Sequence, residues 1–136
     1  MMMKKAFARL FLWLSRLNFV GDVPKESIVL VAGPHTSNWD FPVTMAMAEV
    51  KGVPIRWLGK AQMFNKVLGP LFRAMGGISV ERSSPQGLVG DLADEFSRHD
   101  ALALVVPAEG TREAVEYWKS GFYRIAQQAG VPIVCA

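Results

Sequence analysis

The sequence is poor in the residues that build covalent and metal-held frameworks. Its one cysteine, Cys135, excludes a disulfide within the chain and fits a reducing compartment. That cysteine and two histidines, His35 and His99, are too few for a zinc site. Charge is scarce as well. Fifteen basic and 12 acidic residues leave a net charge of +3, which does not by itself imply nucleic acid. No segment approaches the roughly 18 to 20 uninterrupted apolar residues of a membrane-spanning helix. The stretch from Leu10 to Leu14 is short, is bracketed by Arg9 and Arg16, and is followed by no clear small-residue cleavage site, so it does not read as a signal peptide. There is no G-x-S-x-G elbow, no P-loop and no G-x-G-x-x-G. A serine nucleophile of the usual kind and a nucleotide cofactor are therefore not indicated. No repeat, low-complexity tract or linker interrupts the chain.

What is present is a globular composition. The chain has 136 residues, 51% of them hydrophobic, which is enough for one domain with a real core. We expect a single domain over 1–136, with a helix in 1–20 and an α/β core over 27–136. Residues 4–19 predict an amphipathic helix: Phe7, Leu10, Leu14 and Leu17 recur at helical spacing beside Phe11 and Trp13, while Lys5, Arg9 and Arg16 gather on another face. Lys4, Lys5, Arg9 and Arg16 all precede the first acid, Asp22. Aromatic and leucine bulk opposite a basic face suits the headgroup boundary of an anionic membrane, and it equally suits a helix packed on the core.

From residue 27 onward, strand-like and helix-like stretches alternate. "SIVLVA" (27–32), "VPIRWLG" (53–59), "GISVE" (77–81), "ALALVV" (101–106) and "VPIVCA" (131–136) read as strands, several of them apolar and β-branched enough to be buried on both faces. Helices are expected at 41–50, 61–75 with a break at Gly69-Pro70, from Pro85 after an N-cap at Ser84, and about 119–128. The stripe of Phe64, Leu68, Leu71, Phe72 and Met75 is expected in the core rather than along an acyl-chain groove. The fold class that follows is α/β, with a largely parallel sheet flanked by helices. The chain ends at an apolar strand, so we expect either a C-terminally truncated sequence or a sheet edge completed by something else.

In parallel sheets, ligands bind beyond the C-terminal ends of the strands. Four such ends carry polar residues: His35 to Asp40, Lys60, Arg82, and Glu109-Gly110-Thr111-Arg112. Histidine is the usual general base near neutral pH, and a carboxylate on its other nitrogen fixes the tautomer. In a continuous helix, five positions separate two side chains by about 140°. The His35–Asp40 pair therefore needs His35 before a helix and Asp40 in or near its first turn. On spacing alone, Asp40 as a helix cap and His35 as a loop residue remain open. Arginines and Lys60 at the same edge suit an anionic, phosphorylated substrate. His99, between Arg98 and Asp100, reads as a surface residue.

Taken together these stretches resemble the glycerolipid acyltransferase family, which includes the 1-acylglycerol-3-phosphate acyltransferases. His35 to Asp40 matches the family's H-x4-D motif. Gly77 to Arg82 matches its second motif, Pro107 to Arg112 its third, P-E-G-T-R, with Ala108 inserted, and Val131 to Val134 its fourth. The resemblance implies transfer of a fatty acyl group from acyl-CoA or an acyl-carrier protein to the hydroxyl of a lipid such as lysophosphatidate. His35 would be the base and Asp40 its orienter. Arg82, Arg112 and Lys60 would bind the acceptor phosphate, while Glu109, Gly110 and Thr111 would shape the pocket. No cofactor and no metal are expected, and no nucleic-acid partner. A peripheral place at the cytoplasmic face of the membrane, through residues 4–19, or a cytoplasmic one, would follow. Two other readings stay open: a non-catalytic lipid- or phosphate-binding relative, and a thioester hydrolase in which His35 activates water.

Overall fold

The computed structural model describes residues 2–33, 39–81, 85–109 and 115–136. In chain order the elements are α1 (Met2–Leu14), β1 (Ile28–Ala32), α2 (Asp40–Lys51), β2 (Ile55–Lys60), a 3-10 turn (Ala61–Met63), α3 (Gly69–Ala74), β3 (Gly77–Val80), α4 (Pro85–Ser97), β4 (Ala103–Pro107), α5 (Gly121–Ala129) and β5 (Ile133–Cys135). The strands form one five-stranded sheet in the order β3-β2-β4-β1-β5. Every pairing is parallel. The α/β class read from the apolar runs is the class observed. Ser84, expected to cap α4, lies outside the described residues, but Pro85 does open that helix.

The sheet is covered on both faces because its central strands are apolar at every position. Ile28 and Val29 of β1 are both fully buried, and adjacent strand residues point to opposite faces. On one face Val29, Val31, Leu104 and Val106 pack with Leu92 and Phe96 of α4 and Ile125 and Ala126 of α5. On the other, the Trp57 indole of β2 collects Phe41 at 4.7 Å, Phe72 at 5.9 Å and Phe64 at 6.0 Å between ring centroids. Its Nε1–H donates to the Met75 carbonyl at 3.0 Å. The neighbouring strand must give way to that indole: a Cβ on Gly77 would stand 2.8 Å from Trp57 Cζ2 and from the Phe72 carbonyl oxygen.

Three local expectations are corrected. First, α1 is shorter than 4–19 and turns a different stripe inward. Ala8 and Leu12, with Phe11 beside them, pack on Ala46, Met47 and Val50 of α2, while Phe7, Leu10 and Leu14 stay exposed. Small residues at positions 8 and 46 let the two helices approach. The helix stops because Arg16 takes a left-handed conformation (φ 56°), with Arg16 N–H donating to Trp13 O and Leu17 N–H to Leu12 O, a Schellman-type end.

Second, 61–75 is not one bent helix. The Asn65 Oδ1 accepts the backbone N–H groups of Val67 (2.9 Å) and Leu68 (2.8 Å), a local turn that competes with helix formation, and helix resumes only at Gly69 with Pro70 in its first turn. Phe64 and Phe72 join the aromatic cluster as expected of a core stripe. Leu68 and Leu71 do not: they are 44% and 54% exposed.

Third, His99 is not a free surface residue. Its Nδ1 lies 2.9 Å from the Glu95 carbonyl and its Nε2 3.1 Å from Arg56 Nη2. A carbonyl only accepts and a guanidinium only donates, so Nδ1 carries the hydrogen and Nε2 accepts. The ring ties the end of α4 to β2.

The Trp57 cluster is the main packing unit on its face of the sheet. Trp57→Phe keeps most ring contact but loses the bond to Met75. We expect it to lower the unfolding free energy by about 1 to 2 kcal/mol in urea titrations.

Candidate active site

Parallel pairing sends the C-terminal ends of β1, β2, β3 and β4 to one edge of the sheet. The described residues there are Gly33 after β1, Lys60 ending β2, Glu81 after β3, and Ala108-Glu109 after β4. Each stretch singled out in the sequence therefore starts from this edge. His35, Arg82, Gly110, Thr111 and Arg112 lie outside the described residues. Their described neighbours on the chain, Gly33 and Trp39, Glu81 and Pro85, Glu109 and Val115, fix where each stretch leaves and re-enters the fold.

Asp40 is the first residue of α2 and is partly buried, with Trp39 in the N-cap position. A carboxylate there is favoured by the N-terminal end of the helix dipole. The backbone carbonyl of Asp40 accepts Thr44 Oγ1–H at 2.7 Å. This meets the condition on Asp40 that the pair required: Asp40 stands in the first turn, and His35 precedes the helix in the chain. Lys60 is exposed at the end of β2. It stands at the shared edge without a described contact to Glu109 or Asp40.

Glu109 is the informative residue. It is 9% exposed, the one buried charged-type side chain among the described residues. Its carboxyl group lies over Gly33. A Cβ built on Gly33 would stand 3.4 Å from Glu109 Oε1 and 3.8 Å from Oε2. The end of β1 and the carboxyl group arriving from the end of β4 are thus at packing distance. Gly33, the last described residue before Pro34-His35, therefore stands beside Glu109, the first residue of the other stretch. Glu109 Oε2 has no hydrogen-bond partner among the described residues. A buried oxygen of this kind is costly to the fold and marks a group kept for another reason.

The inserted Ala108 has a defined role. It is fully buried, its N–H donates to Ala32 O at 3.1 Å, and its carbonyl accepts the Lys119 N–H at 3.1 Å. The extra residue continues the β1–β4 ladder by one bond, so that the next side chain, Glu109, enters between the strands' ends. Gly33 and Lys119 were not singled out in the sequence. A glycine closing a buried strand just before a polar stretch is the signal that could have marked Gly33; nothing local marks Lys119.

A parallel sheet with a half-buried acid opening the first crossover helix, a cation ending β2 and a buried carboxyl group after β4 is an α/β enzyme edge of the kind that positions a small polar reaction centre. A family model described as Acyltransferase matches residues 16–136, and the chain belongs to that acyltransferase family. The match covers all of the stretches above and begins after α1. No curated protein and no solved structure matches the chain.

Glu109 Oε2, without a hydrogen-bond partner among the described residues, gives a direct prediction. Glu109→Met keeps the volume and removes the stranded oxygen, so the unfolding free energy should hold or rise by about 1 kcal/mol, read by denaturant titration. A clear loss of stability would show that the carboxyl group serves the fold instead.

Proposed function

We propose that this acyltransferase moves a fatty acyl group from an acyl thioester, acyl-CoA or an acyl-carrier protein, to the hydroxyl of a glycerol-phosphate lipid such as lysophosphatidate. The observation that carries the proposal is the closeness of Glu109 to Gly33, the residue two before His35, at one edge of a parallel sheet. The family match supports acyl transfer in general.

His35 acts as general base. It takes the proton of the acceptor hydroxyl as that oxygen attacks the thioester carbonyl carbon. Asp40, in the first turn of α2, holds the imidazole and stabilises the imidazolium. The tetrahedral intermediate then expels the thiolate: the C–S bond breaks, the new C–O ester bond remains, and the thiolate takes the proton from His35. No acyl-enzyme forms, because a thioester is already activated and a base beside a positioned acceptor suffices. Arg82 and Arg112, with Lys60 at the end of β2, hold the acceptor's phosphate. Glu109, Gly110 and Thr111 shape the pocket around it. No cofactor takes part; the thioester is a co-substrate.

The lipid acceptor also accounts for α1. Its packed side is narrow, and Phe7, Leu10, Trp13 and Leu14 are each more than half exposed on the other. The helix contains Lys4, Lys5 and Arg9 and no acid. No helix among the described residues is long and apolar enough to cross a membrane. We assign α1 to a peripheral contact at the cytoplasmic face, with its aromatic and leucine side at the headgroup boundary.

The test is thiol release from a long-chain acyl-CoA, with and without lysophosphatidate. Release should depend on the acceptor and fall about a hundredfold or more in His35→Ala. Release without acceptor would identify a hydrolase. No release from a folded chain that still binds lysophosphatidate would identify a binding relative.

A further inference from the structure

The segment that follows β2 has an outward side that the chemistry above does not use. Phe64 and Phe72 turn into the Trp57 cluster, while Met63, Val67, Leu68 and Leu71 are 40%, 83%, 44% and 54% exposed. All four lie within one segment, Met63 to Leu71, and exposed apolar side chains gathered on one segment mark a candidate contact surface. It is also a built one. Asn65 Oδ1 holds the N–H groups of Val67 and Leu68, and the Asn65 carbonyl accepts the Gly69 N–H at 2.8 Å. The Arg73 guanidinium sits 5.4 Å from the Phe64 ring centroid, which pins α3 to the turn.

The charge around the patch has one sign. Between Glu49 and Glu81 the sequence contains Lys51, Arg56, Lys60, Lys66 and Arg73 and no acid. Lys60, Lys66 and Arg73 are exposed in the patch segment or at its start. A second copy of this chain docking symmetrically would bring cations against cations. An anionic bilayer surface suits both parts: apolar side chains enter the headgroup boundary, and lysines and arginine reach lipid phosphates with their stems along the apolar zone. We propose that Met63–Leu71 is a second lipid-inserting element, separate from α1, that seats the C-terminal edge of the sheet on an anionic bilayer. The segment begins directly after Lys60, so the site's mouth would open onto the surface from which a lipid acceptor comes. This rests on the lipid-acceptor reading above, and on observations that hold without turnover.

The experiment uses the full chain carrying Cys135→Ser and Val67→Cys, labelled at residue 67 with an environment-sensitive fluorophore. A companion carries the label at Ser97→Cys, exposed at the far end of α4. With vesicles of phosphatidylcholine and phosphatidylglycerol, emission at 67 should rise severalfold and be quenched by lipids brominated in the acyl chain. The label at 97 should show neither. Val67→Asp/Leu71→Asp, with α1 intact, should weaken vesicle sedimentation by about tenfold. Unchanged emission at 67 on vesicles would overturn the proposal, whether α1 alone holds the chain there or nothing does. So would a rise that needs only higher protein concentration, which would mark a self-contact, or one indifferent to phosphatidylglycerol. Insertion without acyl transfer would sink the functional reading and leave this one standing; transfer to a water-soluble short-chain acceptor without insertion would do the reverse.

Discussion

β1 and β4 run side by side in parallel, from Ile28 opposite Ala103 to Ala32 opposite Pro107, and both are buried on two faces. This ladder is the constraint on which the rest depends. It places the ends of two strands distant in sequence beside each other, and the Ala108 N–H bond to Ala32 O carries the pairing to the last residue before Glu109. The carboxyl group then lies over Gly33, 3.4 Å from where a Cβ of that residue would stand. Shifting the register by one residue would send Glu109 to the opposite face and separate the two stretches. The sheet's hydrophobic alternation opposes that shift, since a slip of β4 would take Leu104 and Val106 off the α4–α5 face.

Two elements leave much of their apolar bulk outside the core. α1 packs through Ala8 and Leu12 and leaves its bulkier residues outside. The turn after β2 sends two phenylalanines inward and leaves aliphatic side chains outside. In a water-soluble setting these exposures are liabilities. Against a bilayer they become contact area, and the uniformly basic residues nearby have an anionic surface to meet. The lipid acceptor that we propose would give both features one cause.

The sequence made the strands legible because each is a short β-branched run, and the parallel sheet followed from their alternation with helices. Asp40 in a first turn was also legible, since Pro42 two positions later limits where that helix can begin. What was not legible depended on contacts distant in sequence. Periodicity at 61–75 predicted a helix, and one asparagine side chain closing a turn outweighed it. Periodicity in α1 pointed to Phe7, Leu10 and Leu14, whereas α2 covers Ala8 and Leu12, where the small residues Ala8 and Ala46 meet. His99 looked exposed among charged neighbours because its partner, Arg56, is 43 positions away. Glu109 was identified as part of a motif, but its burial and its contact with Gly33 required the β1–β4 register.

The measurement that tests the central claim most directly is a double-mutant cycle between Gly33→Ala and Glu109→Ala, read as kcat/KM for acceptor-dependent thiol release. If the two strand ends form one unit, each change should impair transfer. Their combined effect should differ from the sum by about 1 kcal/mol or more, because residues in contact do not act independently. Strictly additive effects would mean that the two ends act independently, and the site described here would not be the one that performs the reaction.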